Sequence, residues 1–205
     1  MRILSILISV FFPASVHAIS GIFGTGVVIE LNGNVTLYEA TLLGDGRHQP
    51  SGFGPTLNTT GLDGIDLGTF DPSQGETLNL RGGGILTFKN DSDDVTGARV
   101  NYEVDSNGFA PLSLTFNEDS VSGISGDQRW YSQSFNIDLL SGLSNGVHTL
   151  SVFFDAPFTF DTGSGTHTEN NSNNNFVATF TVVPEPSTGM VMAVAGLTFL
   201  RRRRS

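Results

Sequence analysis

The chain has 205 residues, of which 10 are Lys or Arg, 20 are Asp or Glu and none is Cys. The lack of cysteine excludes disulfide scaffolds, thiolate metal sites and cysteine nucleophiles. Half of the basic residues lie at the two chain ends, so residues 19–182 carry 5 basic against 19 acidic side chains. This acidic balance excludes nucleic acids and anionic membrane surfaces as partners.

Residues 1–18 have the features of a secretory signal peptide. Arg2 supplies a positive charge, residues 3–12 form an apolar run, and Pro13 ends that run. Val16 and Ala18 then stand at the two positions that signal peptidase requires to be small. We therefore expect signal peptidase to cleave after Ala18 and the rest of the chain to be exported. A buried N-terminal strand is the alternative.

Residues 19–182 show short alternating apolar runs separated by turn signals. The signals are Asn-Gly and Asp-Gly pairs, in which both residues tolerate positive φ: Asn32-Gly33, Asp45-Gly46, Asp63-Gly64, Asn107-Gly108 and Asn145-Gly146. The alternation predicts strands at residues 35–40, 85–88 (after the glycine run 82–84), 100–104, 112–116, 131–139, 148–154 and 176–182. The polar segment 163–175 is predicted to be a flexible hairpin loop. Seven or more strands predict an all-β domain, a two-sheet antiparallel β-sandwich of immunoglobulin-like or jelly-roll-like type.

Residues 139–153 combine leucines, a glycine turn and an alternating strand. This segment resembles the corner between strands E and F of immunoglobulin-like and fibronectin-type sandwiches, where a tyrosine often bonds back to the loop. His148 stands near that place, and we expect it to bond a carbonyl of the corner. The stretch 87–182, chiefly through 126–130 and this corner, also resembles an uncharacterised immunoglobulin-like module of secreted bacterial proteins. That resemblance implies no activity.

The densest acidic cluster is the segment 90–94, which contains Asp91, Asp93 and Asp94. Calcium prefers six to eight oxygen ligands, and carboxylates two residues apart on a loop can converge on one ion. The segment lacks the glycine and the distal glutamate of an EF-hand loop. A solvated acidic turn is therefore the favoured interpretation, with a calcium site formed by these three residues as the alternative. No other cofactor is expected.

Trp130 and Tyr131 are the residues that we consider for ligand binding. Exposed aromatic rings can stack on sugar rings, which makes a carbohydrate the expected ligand. The alternative is that Trp130 belongs to the core beside an alternating strand.

The sequence predicts no enzyme. Some pair of the many carboxylates could meet the spacing for glycoside hydrolysis by chance, and no Gly-x-Ser-x-Gly motif surrounds any serine. His48, His148 and His167 are the histidines that follow the signal peptide, and their scatter indicates no metal site.

The C-terminal residues 183–205 form three successive parts. Pro184, Glu185 and Pro186 precede an apolar stretch up to residue 200, which ends at Arg201, Arg202, Arg203 and Arg204. The arginines predict a cytoplasmic end. Residues 187–200 would make a short hydrophobic helix of roughly 21 Å, against a hydrocarbon core of about 30 Å, so a transient transmembrane anchor is expected.

This order of motif, apolar run and arginine cluster closely resembles the PEP-CTERM sorting signal of bacterial exported proteins. The resemblance implies that an exosortase recognises the Pro184–Pro186 motif and cleaves near it. It also implies a bacterium that makes extracellular polysaccharide. An ordinary single-span tail anchor is the alternative.

Together these observations predict an exported protein of the cell surface or extracellular matrix, anchored transiently in the inner membrane. A structural or adhesive role in an exopolysaccharide or biofilm layer is expected, with extracellular polysaccharide as a partner. The alternative is a carbohydrate-binding module, with or without the help of calcium.

Overall fold

The computed structural model describes residues 20–41, 43, 47, 56–58, 61–90 and 93–183. The predicted signal peptide, the predicted C-terminal helix and the predicted sorting signal from Pro184 to the arginine cluster lie outside these residues, as do His48 and Asp91. Of the described residues 61% are in strands and 4% in helices, which places the chain in the all-β class. The described helices are two short 3₁₀ turns, Pro72–Gln74 and Val121–Gly123, and neither could cross a membrane.

Within the described residues, fourteen strands form two sheets. In chain order they are β1 (Gly21–Leu31), β2 (Asn34–Thr41), β3 (Thr56–Asn58), β4 (Asp66–Phe70), β5 (Leu78–Phe88), β6 (Asp94–Val95), β7 (Arg99–Val104), β8 (Ala110–Ser113), β9 (Phe116–Asp119), β10 (Asp127–Ser132), β11 (Ile137–Asp138), β12 (Gly146–Phe160), β13 (Gly163–Glu169) and β14 (Phe176–Val182). Sheet A has the order β3-β2-β1-β5-β10-β9, with β11 also on β5. Sheet B has the order β4-β14-β12-β7-β8, with β13 and β6 also on β12. Pairing is antiparallel except for β2 with β3 and β4 with β14.

The turn between β1 and β2 confirms the prediction made from Asn32-Gly33. Leu31 pairs directly with Asn34, which leaves a two-residue loop. Asn32 and Gly33 have φ values of 49° and 82°. A two-residue hairpin whose twist matches its strands needs positive φ at both central positions, and Asn and Gly adopt it at the lowest cost.

A single hydrophobic core lies between the sheets, which makes the fold a β-sandwich. In β12 the buried residues alternate as His148, Leu150, Val152 and Phe154. The core side chains of β12 and β14 join those of β1 and β5 in one cluster. Alternation therefore identified β12 and β14 correctly, because one face of each strand is turned to this core.

Several predicted boundaries were wrong. The glycine run 82–84 lies inside β5, residues 163–169 form β13 instead of a loop, and breaks divide 112–116 and 131–139. A Cβ added to Gly83 would lie 2.5 Å from the carbonyl oxygen of Gly26 and 2.7 Å from Cγ2 of Val100. A glycine in the middle of a strand marks such a close approach of neighbouring backbone and of the facing sheet.

Candidate functional site

Trp130 and Tyr131 are both buried, with 8% and 1% of their surface exposed. The indole Nε1 of Trp130 donates to Oγ1 of Thr87 at 3.2 Å, and the hydroxyl of Tyr131 donates to Oε1 of Gln133 at 3.1 Å. Burial raises the pKa of Tyr131 well above its usual value of 10.0. Neither ring presents a face to solvent, so the packing alternative describes Trp130, and the expected sugar-stacking surface is not found at these two residues.

The two neighbouring side chains of β10 point to opposite faces of sheet A, as successive strand residues must. Trp130 enters the core between the sheets. Tyr131 packs with Val28 and Leu37 in a second, smaller cluster on the other side, which Val35 borders. We call the side of sheet A that carries this cluster the outer face of sheet A.

The described part of the acidic turn has a lysine as its counter-charge. Oδ1 of Asp94 accepts from Nε2 of Gln128 at 3.0 Å and lies 4.0 Å from Nζ of Lys89. Asp93 is buried beside it, whereas Asp91 lies outside the described residues. Among the residues that the structure describes, no three His, Cys, Asp or Glu side chains are placed to hold a metal ion. The calcium alternative stays a prediction.

His148 is buried in β12 and confirms the expected bond to the corner. Its Nε2 donates to the carbonyl oxygen of Ser144 at 2.7 Å, and its Nδ1 lies 2.5 Å from Oδ2 of Asp105. The same carboxylate accepts from the backbone N–H of Thr149 at 2.9 Å. The hydrogen bond to Asp105 raises the pKa of His148 against the effect of burial, and the bond to Ser144 adds to the rise. His148 therefore ties the turn after β7 to the start of β12.

His167 lies on β13, far from His148. Its ring stacks on Phe158 at a centroid distance of 4.1 Å, and its Nε2 is 3.1 Å from Oγ of Ser20. Burial lowers the pKa of His167, with Asp93 opposing that shift. His167 pairs with Ala156 of β12, eight residues beyond His148, so about 27 Å of strand separates the two histidines. These two histidines share no site.

Residues that the sequence analysis did not single out meet on the opposite side of the molecule. Since the core residues of β12 alternate, its intervening side chains point away from the core on what we call the outer face of sheet B. β7 and β8 contribute to this face in the same way. Its members include Arg99, Asn101, Glu103, Pro111, Ser113, Thr149, Ser151, Phe153 and Asp155.

An aromatic pair lies on this face. Phe109, just before β8, is 40% exposed, and its ring meets the half-buried ring of Phe153 edge to face. The ring centroids are 4.8 Å apart and the ring planes make an angle of 72°. Edge-to-face packing of this kind holds both rings in a defined orientation.

A charged cluster lies beside the aromatic pair. Oδ1 of Asp155 accepts from Nε of Arg99 at 2.6 Å, and Oδ2 accepts from Nδ2 of Asn101 at 3.1 Å. Strand register explains the meeting, because Arg99 pairs with Asp155 and Asn101 pairs with Phe153. The side chain of Asp155 is buried and that of Arg99 is exposed. Alternation along β12 could have shown that Phe153 and Asp155 share a face, but the sequence offers no signal for their partners on β7.

The geometry defines an acidic two-sheet β-sandwich with an exposed aromatic and polar surface on sheet B. No protein-family model and no curated protein matches the chain.

Proposed function

We propose that the chain is an exported protein of the cell surface or extracellular matrix, with a structural or adhesive role in an exopolysaccharide or biofilm layer. In this proposal signal peptidase removes residues 1–18, and an exosortase recognises Pro184, Glu185 and Pro186. The short apolar segment then acts as a transient helical anchor, held by the arginine cluster. No catalytic step is assigned to any residue.

The observation that carries the structural part of the proposal is the use of the basic side chains. Three ion pairs join neighbouring strands: Arg81–Glu30, Arg99–Asp155 and Arg129–Glu118. A fourth, Lys89–Asp119, connects the end of β5 with β9 past the intervening β10. The chain has few basic residues between the predicted signal peptide and the predicted sorting signal, and these four basic side chains connect strands within the sheets. This use suits a load-bearing module better than the binding of an anionic ligand.

Within the β-sandwich class, the corner at His148 supports the immunoglobulin-like alternative over the jelly-roll-like one. The bond from His148 to the carbonyl of Ser144 reproduces the role that a tyrosine hydroxyl often has in immunoglobulin-like corners. A carbohydrate-binding module is the second candidate function. The exposed ring of Phe109 favours it, whereas the buried Trp130 and Tyr131 do not.

Processing in a bacterium with an exosortase, compared with a strain lacking that enzyme, tests the proposal. We expect the intact mass of the exported chain to show cleavage after Ala18 and loss of the arginine cluster only where the exosortase is present. Replacing Pro184, Glu185 and Pro186 together by Ala should leave the tail uncut and the protein in the membrane.

The double variant Ser187→Ala and Thr188→Ala is the matched control, because it changes two adjacent residues outside the motif and should still be processed. Tail cleavage in the strain without exosortase would contradict the proposal, as would normal processing of the triple variant.

A further inference from the structure

We propose that the outer face of sheet B binds a neutral polysaccharide, with the ring of Phe109 as its stacking platform and Arg99 as its polar anchor. This inference rests on the proposed adhesive function and names its partner and its site. Neither Trp130 nor Tyr131 takes part.

The platform is exposed and held in place. Phe109 is one of the exposed large apolar side chains, and Phe153 supports its ring from the side. The loop that carries Phe109 is fixed by two hydrogen bonds, from the N–H of Asn107 to the carbonyl of Val104 at 3.1 Å and from the N–H of Gly108 to Oε2 of Glu103 at 3.3 Å. A ring that is already oriented loses little conformational freedom when a ligand stacks on it.

The anchor lies within reach of a ligand on the platform. Phe153, which contacts the platform, and Asp155 are successive outward positions of β12, so their Cα atoms are about 7 Å apart, and Arg99 lies one strand away at about 5 Å from Asp155. Phe109 itself stands four residues before Ser113, the partner of Arg99, so the Cα atoms of Phe109 and Arg99 are about 14 Å apart, the length of a short oligosaccharide. Asp155 binds Nε of Arg99 and fixes the plane of the guanidinium, whose side chain remains exposed. Hydroxyl groups of a sugar next to the stacked one can accept hydrogen bonds from this guanidinium.

Charge selects the kind of polysaccharide. Residues 19–182 are strongly acidic, which repels uronic-acid polymers. On this face the carboxylate of Asp155 is occupied by Arg99 and Asn101, and that of Glu103 accepts from Gly108. The same net charge attracts cationic amino sugars to the whole surface through a salt-sensitive interaction, but the carboxylates at this site already have partners. The specific contacts of this face therefore match a neutral polymer.

The surroundings favour a sugar over a protein partner. In the strand register the neighbours of Phe153 on this face are Ser151, Asn101 and Pro111, while Ser113 lies beside Arg99. A stable protein interface buries about 800 Å² on each partner around an apolar centre, and an aromatic pair with one proline beside it is too small to form such a centre. A pyranose needs one ring face for its C–H groups and hydroxyl partners around it.

Retention of the full chain on polysaccharides tests the inference. The probes are dextran, a β-glucan and a mannan as neutral polymers, alginate as the anionic polymer and chitosan as the cationic one, with detergent present for the C-terminal segment. We expect retention on at least one neutral polymer that persists in 0.5 M salt. Phe109→Ala should weaken it about tenfold, the loss of one stacking contact, while Phe109→Tyr should stay within about threefold of the parent.

Phe116→Ala is the matched control. Phe116 is 44% exposed and meets Trp130 edge to face at 5.1 Å, so it repeats the exposure and ring geometry of Phe109 on the other sheet. It should bind like the parent. Arg99→Lys keeps the charge beside Asp155 but loses the planar donor group, and should weaken binding about threefold.

Three results would overturn the inference. They are no retention of the folded full chain on any neutral polymer, equal losses for Phe109→Ala and Phe116→Ala, and retention that is confined to a charged polymer and lost in salt. The first of these leaves the proposed export and surface role intact, because processing is measured separately by intact mass. Failure of processing with retention on a neutral polymer would instead overturn the proposed sorting and support the site.

Discussion

The outer faces of the two sheets carry similar residue types in opposite states. On sheet A, Tyr131, Val28 and Leu37 are buried as a second core. On sheet B, the ring of Phe109 is exposed beside the half-buried Phe153. Both faces therefore carry aromatic rings, and the rings of Tyr131 and Phe109 differ in their access to solvent. Exposure, more than residue type, decides which aromatic side chain is a binding candidate.

Two ion pairs, one on each outer face, also differ in which partner is buried. In the sheet A pair beside Tyr131 the buried partner is the cation, since Arg129 is buried and pairs with the exposed Glu118 at 2.9 Å. Arg129 also donates from Nε to the carbonyl of Arg47 at 2.7 Å. On sheet B the buried partner is the anion, Asp155, and the exposed one is Arg99. The sheet B cluster therefore offers a donor to solvent, whereas the donor of sheet A is enclosed.

The greatest difference in stability is expected between variants of the aromatic residues on the two faces. Tyr131→Ala should lower the free energy of unfolding by about 3–5 kcal/mol, because it leaves a cavity in a closed cluster. Phe109→Ala should lower it by less than about 1 kcal/mol, because much of that ring is already in water. Urea unfolding of both variants measures the difference. Equal losses would remove the distinction between the two faces.

A smaller effect is expected from the ion pair of sheet B. Arg99→Gln should cost about 1–3 kcal/mol, because it leaves the buried Asp155 with Asn101 as its remaining hydrogen-bond partner in the cluster. Asp155→Asn should cost less than about 1 kcal/mol, since the exposed guanidinium can be hydrated again. Denaturant unfolding at pH 7 compares the two variants. A greater loss of unfolding free energy for Asp155→Asn than for Arg99→Gln would contradict the prediction that the buried carboxylate depends on the exposed cation.

In the sheet A pair the exposed partner is the anion Glu118 and the buried partner is the cation Arg129. The relevant variant therefore removes the anion. Glu118→Gln removes the exposed partner and leaves Arg129 buried, but the carbonyl of Arg47 still accepts from its guanidinium. Glu118→Gln should therefore lower the free energy of unfolding by less than Arg99→Gln does. A higher cost would mean that the enclosed face depends more on charge than the open face does.

The smallest effect is a pH dependence with opposite signs at two histidines. The pKa of His148 is raised, so its contribution to stability is complete below its unfolded value of about 6.5 and is lost as the pH rises through the folded value. The pKa of Asp105 is lowered: burial alone would raise it, but the hydrogen bonds from His148 and Thr149 prevail. The contribution of Asp105 is complete above about 3.8 and is lost as the pH falls through its folded value. The pair should therefore stabilise the fold most between pH 4 and 6.5.

Thermal unfolding of His148→Gln between pH 5 and 8 measures this effect. The parent should lose about 2–4 °C more in Tm than the variant as the pH rises through this range. His167→Gln is the matched control, because burial lowers the pKa of His167. The contribution of His167 is present above pH 6.5 and lost below it, so its variant should lose less Tm than the parent on acidification. Parallel Tm curves for the parent and His148→Gln would contradict the assigned charge on His148.

Features that depend on neighbours along the chain could be predicted from sequence patterns alone. Alternation identified β12 and β14, the Asn32-Gly33 pair identified a hairpin, and the corner placed His148 near its carbonyl partner. These features follow from the two-residue period of strands and from the φ values that Asn and Gly tolerate. They required no knowledge of which strands pair.

Features that depend on strand register and on the facing sheet required the three-dimensional fold. The glycine run inside β5 makes sense once Gly83 lies against Gly26 and Val100. Trp130 is buried because β10 is placed inside sheet A, and Arg99 meets Asp155 because β7 pairs with β12 across 56 residues of chain. Register between distant strands is set by how the whole core packs, so no local pattern contains it.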